Sequence, residues 1–286
     1  MGIVITTDST CDLSKELIEK YDIKVLPLCV MLGSDEHLDG VDVTQTEIFE
    51  YVKKTKILPK TAARSIEDFK DFFKPFLDAG NEVIHIGISS GLSSCYNNAL
   101  RAKEELKSNN LHIVDGRTLS TGTALLLIHA VELARSGKSA EEIVKIETER
   151  AYHHQTSFVV DTLDYLHKGG RCSTMQLFGA NLLGIKPRLQ VVDSKLISNG
   201  KYRGKMLPVL KKYIDETLEK FNTPDTTRCF LSHTITDQAF LTEIVEYVKA
   251  KKIFKEVIAY PAGCTITSHC GPGTLGIIYL NDGGNK

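Results

Sequence analysis

The 286-residue sequence lacks long apolar runs and has no surplus of charge of either sign. No segment approaches the ~18–20 apolar residues that a membrane-spanning helix needs. The first residues also lack the charged start and apolar core of a signal peptide. The formal net charge is −1, so no basic excess favours nucleic acid. We therefore expect a cytoplasmic protein with no nucleic-acid partner and no stable membrane insertion.

Paired cysteine motifs are absent as well. The seven cysteines are dispersed, and no C-x-x-C occurs. Cys264, His269 and Cys270 lie close together in the sequence, but no second ligand pair with zinc spacing accompanies them. We therefore expect no metal site, and we expect free thiols in a reducing cytosol.

Strand and helix signals alternate through residues 1–156. Short apolar segments such as 82–88 are typical of buried strands, and capping patterns precede several helices. One such pattern, at Ser139 and Glu142, opens a helix that we expect to reach about Thr156. This alternation predicts an α/β domain, with a mostly parallel sheet covered by helices on both faces.

The pattern changes in residues 157–286. Two strand signals, at 185–192 and 195–198, flank Asp193-Ser194, which indicates a hairpin. Further strands alternate with two amphipathic helices. We expect a C-terminal α+β domain with a mixed or antiparallel sheet, and a domain boundary near residue 156.

The segment 262–273 combines glycines and hydroxyl side chains around His269. It has little apolar surface, so we interpret it as a loop outside the core that holds the histidine against a ligand. The alternative is a tight turn that exposes His269 to solvent.

Three loops are expected where strands lead into helices, at 7–12, 89–94 and 115–121. Ligands bind at this edge of such sheets. Ser89, Ser90 and Gly91 lie in the second loop, where hydroxyls and backbone N–H groups favour a carboxylate or a phosphate. Helix capping explains one or two hydroxyls in a loop, but not so many at 89–94.

The same loop supports a rival hypothesis. Gly87, Ser89 and Gly91 match the G-x-S-x-G elbow of serine esterases, and Asp161 and His269 follow in the required order. No His-Gly-Gly oxyanion motif precedes the loop. A third and weaker candidate is a protein that binds a sugar phosphate or a nucleotide phosphate with these loops.

Two arginines lie beside glycines. Arg171 follows Gly169-Gly170, and Arg203 precedes Gly204. Guanidinium groups on such turns suit a phosphate or an acidic partner. Ordinary solvated surface charge is the alternative.

Five separated motifs of this chain occur together, in the same order, in one protein family. The motifs are an opening segment at 5–13 with a strand at 25–28, a serine loop at 88–93, a Gly-Gly-Arg segment at 161–173, a strand at 185–187, and a His-x-Gly-Pro-Gly segment at 269–273. The chain thus resembles the DegV family of bacterial fatty-acid-binding proteins, whose members include the acyl-carrying subunit of fatty acid kinase.

The resemblance implies a two-domain protein with one long-chain fatty acid buried between its domains and no other cofactor. The carboxylate contacts of the family fall on Thr61, Ser93 and His269. The family's arginines fall on Arg171 and Arg203, and the resemblance links them to the acyl-phosphate end and to docking of a fatty acid kinase catalytic subunit.

Two segments depart from the family pattern. Residues 61–65 read Thr-Ala-Ala-Arg-Ser where the family often has Thr-Ser-Gln-Pro-Ser, and residues 94–96 read Ser-Cys-Tyr where it has Gly-Thr-Tyr. Both changes flank the carboxylate contacts without removing them. We therefore expect a carrier that presents a fatty acid to a separate kinase and is not itself an enzyme; the esterase is the alternative.

Overall fold

The computed structural model describes residues 2–171 and 184–284. The strands of these ranges are β1 (Ile3–Asp8), β2 (Lys24–Leu26), β3 (Cys29–Leu32), β4 (Asp35–Leu38), β5 (Lys60–Ala62), β6 (Glu82–Gly87), β7 (Leu111–Asp115), β8 (His154–Val159), β9 (Ile185–Val192), β10 (Lys195–Arg203), β11 (Arg228–His233), β12 (Glu256–Pro261) and β13 (Leu275–Leu280). The α-helices are α1 (Lys15–Tyr21), α2 (Gln45–Thr55), α3 (Ile66–Asp78), α4 (Cys95–Leu106), α5 (Thr121–Arg135), α6 (Ala140–Arg150), α7 (Asp164–Gly169), α8 (Met206–Lys220), α9 (Gln238–Lys249) and α10 (Cys264–Cys270).

The N-terminal sheet is parallel and has the strand order β2-β1-β6-β7. Side chains alternate along β6, as expected for a strand buried on both faces. Val83 lies in the apolar cluster that includes Phe69 and Phe73 of α3. Ile84 and Ile86 lie in the cluster on the opposite face, with α5. The sheet is therefore covered by helices on both sides.

The C-terminal sheet has six strands in the order β10-β9-β8-β13-β11-β12. Among the strands that the structure describes, only β11 and β12 pair in parallel, so the sheet is mixed. Helices α8 and α9 cover one face through residues such as Tyr213 and Ile244. Together the two sheets confirm the predicted α/β fold class. A third, small sheet has the order β4-β3-β5.

Helix α5 joins the two large sheets. It packs against β1 and β6 of the first sheet and against β11 and β13 of the second. Almost every residue from Thr121 to Leu133 is buried, because the helix has a sheet on more than one side. No helix in the described ranges is both long and apolar enough to cross a bilayer.

The predicted end of the helix that begins after Ser139 is wrong. Helix α6 ends at Arg150, and Thr156 lies in β8, where it pairs with Ile278 of β13. Residues 155–159 are fully buried between β9 and β13, and this sheet pairing decides their conformation. The boundary that we predicted near residue 156 therefore falls inside a strand of the second sheet.

The interpretation of 262–273 as a loop outside the core is also wrong. Residues 264–270 form α10, and six of the seven are buried. Small side chains let neighbouring elements approach closely, and two of the hydroxyls bond to backbone carbonyls in or just before the helix. Ser268 Oγ, for example, donates to the carbonyl oxygen of Cys264 at 2.7 Å.

Candidate ligand-binding site

A cavity of about 410 Å³ opens between the parts of the chain that carry the two large sheets. Its apolar lining residues are Leu28, Ala62, Ala63, Ile88, Leu92, Leu119, Phe158, Leu166, Leu196, Ile266 and Cys270. Its polar lining residues are Thr61, Ser90, Ser93, Ser94, Asn97, Arg171, Thr265 and His269. A cavity lined by both apolar side chains and hydroxyl, amide, imidazole and guanidinium groups suits an amphipathic ligand.

The loop after β6 is fixed on several sides. Asp8 Oδ2 accepts from the backbone N–H of Ile88 at 2.9 Å, and the Ser90 hydroxyl donates to Asp115 at 2.5 Å. Gly91 lies against the β9–β10 turn, where an added Cβ would be 2.1 Å from the carbonyl oxygen of Ser194. A residue with a side chain therefore does not fit at this position.

Ser93 lies farther along this loop and lines the cavity. Its Oγ accepts a hydrogen bond from the backbone N–H of Cys95 at 3.2 Å. A hydroxyl that accepts in this way still has its own proton to donate. Ser93 can therefore donate to an anionic group in the cavity.

Thr61 and His269 both line the cavity and are hydrogen-bonded to each other. Thr61 lies on β5, opposite Val30 of β3, and His269 lies near the end of α10. The Thr61 Oγ1 and His269 Nε2 atoms are 2.7 Å apart. The structure thus brings Thr61, Ser93 and His269 to the wall of one cavity.

The Nδ1 edge of the His269 ring lies against Gly169 of α7. A Cβ at Gly169 would be only 2.4 Å from Nδ1 of His269. This nitrogen is buried and has no hydrogen-bond partner within the described ranges. Burial, and secondarily the positive charge of Arg171, lower the pKa of His269 to about 4. The imidazole is therefore neutral at pH 7 and can act as donor or acceptor according to its tautomer.

Asp39 holds the start of α10 and was not identified from the sequence. Its Oδ1 accepts from the backbone N–H of Cys264 at 2.7 Å, and its Oδ2 accepts from that of Thr265 at 3.2 Å. The Ser9 hydroxyl also donates to Oδ2, at 2.9 Å. Asp39 is 3% exposed, and burial raises its pKa. No local pattern indicates this role, because 225 residues separate Asp39 from Cys264.

The two arginines occupy different places. Arg171 is exposed and lines the cavity, and its Nη1 donates to the carbonyl oxygen of Gly169 at 2.8 Å. Arg203 is exposed at the end of β10, opposite Ile185, and does not line the cavity.

Ser89 differs from its neighbours Ser90 and Gly91, because it does not line the cavity. It is fully buried, and its hydroxyl donates to the carbonyl oxygen of Ser194 at 2.8 Å. The described residues provide no hydrogen bond between Ser89 and His269, whose Nε2 is paired with Thr61. The serine-esterase alternative is therefore not supported, because the serine lacks both a base and access to substrate.

The described residues contain no group of three or more His, Cys, Asp or Glu side chains that could hold a metal ion. The six cysteines of these ranges are free and buried. Burial raises the pKa of the Cys270 thiol to about 12, so this cavity-lining thiol is protonated at pH 7.

Comparisons with known proteins match this chain to one family over nearly its whole length. A family model described as "Uncharacterised protein, DegV family" matches residues 2–282. A DegV domain-containing protein of Clostridium perfringens is 34% identical over 282 residues, which cover 98% of this chain and 99% of the relative. A second, from Clostridium acetobutylicum, is 32% identical over 283 residues, covering 97% and 98%.

Solved structures of similar fold also include DegV proteins. A DegV family protein from Thermus thermophilus, described as binding fatty acid, matches with a TM-score of 0.88 at 29% identity, covering 98% of this chain and 99% of the other. DegV of Bacillus subtilis, described as a fatty acid binding protein, matches with a TM-score of 0.85 at 27% identity, with the same coverage.

Proposed function

This chain belongs to the DegV family, and from that premise we propose that it is a carrier that binds one long-chain fatty acid in the cavity described above. The observation that carries the proposal is the position of Thr61, Ser93 and His269, which line one cavity whose remaining walls are largely apolar. Structural relatives described as binding fatty acids support the ligand class.

The apolar walls supply the binding free energy. Each buried CH₂ group contributes ~0.8 kcal/mol, so an alkyl tail of sixteen carbons gains roughly 10–12 kcal/mol in gross transfer free energy. The loss of translational and chain freedom cancels part of this gain. The alkyl tail therefore supplies most of the binding free energy, and the head group determines the preference for an acid.

The polar end must satisfy a buried carboxylate. A carboxylate without hydrogen-bond donors in such a site would be strongly destabilised or would become protonated. The Ser93 hydroxyl is one suitable donor, and the Thr61–His269 pair supplies a second. If His269 Nε2 carries the imidazole proton and donates to Thr61 Oγ1, the Thr61 hydroxyl keeps its own proton for the carboxylate. A carrier needs only such donors, with no activated nucleophile, so we propose that the protein performs no catalysis of its own.

The position of Arg171 bears on what happens to the bound fatty acid. It is exposed where the cavity opens, close to the proposed carboxylate. We propose that the protein presents the acyl carboxylate there to a separate fatty acid kinase, and that Arg171 and Arg203 contact the phosphate being transferred or the kinase itself. The family resemblance and the exposure of both side chains support this assignment.

Calorimetric titration of the delipidated protein tests the ligand assignment. We expect hexadecanoic acid to bind with a stoichiometry of one, and the methyl ester of the same acid to bind at least tenfold more weakly, because the ester lacks the charge that these donors satisfy. Equal affinity for acid and ester would contradict the head-group assignment. Absence of binding by both would contradict the fatty-acid proposal.

A further inference from the structure

Three segments that line the ligand cavity meet at Arg64, a residue that does not itself line it. Residues 61–63 directly precede Arg64 in the chain. Leu28 lies in the connection between β2 and β3, and Asn97 lies in α4. Ala62 and Asn97 are exposed, so the lining of the cavity reaches the protein surface at these segments.

The side chain of Arg64 binds the connection that carries Leu28. Its Nε–H donates to the carbonyl oxygen of Pro27, the residue before Leu28, at 2.6 Å. Its Nη1 atom also lies 3.9 Å from Oδ1 of Asp68. The side chain is only 15% exposed, so little water competes for these contacts. A hydrogen bond from a charged donor is stronger than one between neutral groups.

The backbone of Arg64 binds the helix that carries Asn97. Asn98, the next residue of α4, donates from Nδ2 to the carbonyl oxygen of Arg64 at 2.6 Å. The chain after Arg64 is fixed as well, because the hydroxyl and the backbone N–H of Ser65 both donate to Asp68 in the capping box of α3. Arg64 thus joins three segments, and each of its two hydrogen bonds reaches a residue next to one that lines the cavity.

The strand before Arg64 depends on these bonds for its position on one side. Strand β5 is at an edge of the small sheet, whose order is β4-β3-β5, so only β3 pairs with it among the described strands. An alkyl chain passes through closely packed lining segments only when they move apart. Movement of residues 61–63 away from Leu28 or from Asn97 stretches one of the two hydrogen bonds of Arg64.

We propose that Arg64 is a positioning residue that slows both entry and release of the ligand by joining these three segments. The inference rests on the proposed fatty-acid function. Both hydrogen bonds join protein groups to each other, so they stabilise the free and the loaded protein alike and cancel in the binding equilibrium. They are lost while the segments are apart, so they raise the barrier to passage in both directions.

The side-chain contact distinguishes this chain from the family pattern described above. That pattern often has proline at position 64, and proline has no side-chain donor for the carbonyl oxygen of Pro27. The slower exchange that we propose is therefore a property of this sequence, which follows from one residue beside the cavity.

Arg64→Met and Arg64→Gln test the proposal as a matched pair. Glutamine places an amide nitrogen, and methionine a methyl group, the same number of bonds from Cα as arginine places Nε. The two variants therefore differ in the donor to Pro27 and are similar in side-chain length. Each protein is loaded with radiolabelled hexadecanoic acid and mixed with excess phosphatidylcholine vesicles, and the acid that remains on the protein is followed over time. Rates are extrapolated to zero vesicle concentration, so that they report dissociation alone.

In Arg64→Met we expect release to accelerate about tenfold, because a charge-assisted hydrogen bond is lost. The dissociation constant from calorimetry should change less than about threefold, so the association rate, which follows from the two values, should rise nearly as much as the release rate. Arg64→Gln should release the acid at a rate closer to that of the wild type.

Asn98→Ala removes the second hydrogen bond without touching the guanidinium. It should accelerate release in the same way, while alanine favours the helix in which it lies. This variant replaces Arg64→Met if that variant does not fold.

Arg135→Met is the control. Arg135 also donates to a backbone carbonyl oxygen, that of Lys20, at 2.9 Å. Neither residue lines the cavity or is next in the chain to one that does. We therefore expect Arg135→Met to release the acid at the wild-type rate.

Unchanged release in both Arg64→Met and Asn98→Ala would overturn the proposal and leave the carrier function standing. Release that accelerates in proportion to the dissociation constant, with association unchanged, would overturn it too, because Arg64 would then stabilise the bound acid and not hinder its passage. Equal acceleration in Arg64→Gln or in Arg135→Met would exclude the hydrogen bond to Pro27 as the cause. A wild-type protein that takes up no hexadecanoic acid would instead contradict the proposed function, and with it this inference.

Discussion

The Nε2 atom of His269 lies 2.7 Å from the Thr61 hydroxyl, although 208 residues separate the two in the chain. The small sheet carries Thr61, and α10 carries His269. Asp39, which follows β4, binds the first backbone N–H groups of α10 and so joins these two elements. The distance between Thr61 and His269 is therefore set by the packing of segments that are far apart in the chain. The proposed carboxylate site requires these two side chains to be in contact.

Gly169→Ala tests that dependence. The added Cβ would lie 2.4 Å from Nδ1 of His269 and force the ring away from its present position. We expect fatty-acid affinity to fall about tenfold or more, and the free energy of unfolding to change less than the free energy of binding. Gly170→Ala is the matched control, because its Cβ meets nothing within 4 Å and its φ of +67° costs about 1 kcal/mol in backbone strain alone. Equal losses of affinity in both variants would show that the contact with His269 is irrelevant.

Ser93 and Ser89 should respond differently to substitution. Ser93→Ala removes a proposed donor to a buried carboxylate, and we expect it to weaken binding by roughly 1–3 kcal/mol. Ser89→Ala removes a hydroxyl that bonds only within the protein and should weaken binding less. A fluorophosphonate probe should label neither serine. Labelling of Ser89, with ester hydrolysis that the Ser89→Ala variant loses, would restore the esterase alternative.

Arg171→Ala and Arg203→Ala should separate ligand binding from transfer. Neither guanidinium is needed to bury an alkyl chain, so we expect the bound fatty acid to remain near the wild-type amount. Acyl phosphate formation by the cognate kinase should fall at least tenfold, and lysine at either position should restore little, because it does not reproduce the planar fork. The wild-type reaction should weaken with salt. Loss of bound lipid in both variants would place the arginines in the ligand site.

The neutral buried histidine predicts a pH dependence of stability in the delipidated protein. The folded-state pKa of His269 is about 4, below the unfolded value near 6.5. As the pH falls, His269 is therefore protonated in the unfolded chain before it is protonated in the folded protein. The stability that the neutral His269 contributes is complete above pH 6.5 and is lost as the pH falls toward 4. His85 and His154, with pKa values lowered by burial to about 3 and about 4, act in the same direction.

The buried carboxyls act in the opposite direction, so the comparison must be made between variants. Burial raises the pKa values of Asp8, Asp12 and Asp39, which favours proton uptake by the folded state. In His269→Gln we expect the slope of unfolding free energy against pH to decrease by up to about 1.4 kcal/mol per pH unit between pH 4 and 6.5. Exposed His153→Gln is the control, and urea titrations at several pH values are the measurement. Identical slopes in wild type and His269→Gln would contradict a neutral buried His269.

The overall architecture was predictable because its signals are local. Alternating strands and helices indicated the parallel sheet, and β6 appears at Glu82–Gly87 as its apolar run predicts. The turn at Asp193 and Ser194 joins β9 and β10 as expected, with both residues at positive φ. Such patterns depend on neighbours in the sequence and need no tertiary information.

The errors occur where tertiary contacts decide the conformation. Residues 264–270 have too little apolar surface to predict a buried helix, and Asp39 and the surrounding elements stabilise it. Thr156 follows a helix in the sequence, but pairing with β13 makes it a strand residue. The proximity of Thr61 and His269 was implied only by the family resemblance, because no periodicity relates positions so far apart.

Native mass spectrometry of the wild-type protein, followed by denaturing extraction of its ligand, tests the central claim most directly. We expect protein purified from a lipid-replete host to carry one long-chain fatty acid per chain, identified by mass after extraction. Protein that is folded but carries no stoichiometric fatty acid, and does not acquire one when long-chain acids are supplied, would contradict the account.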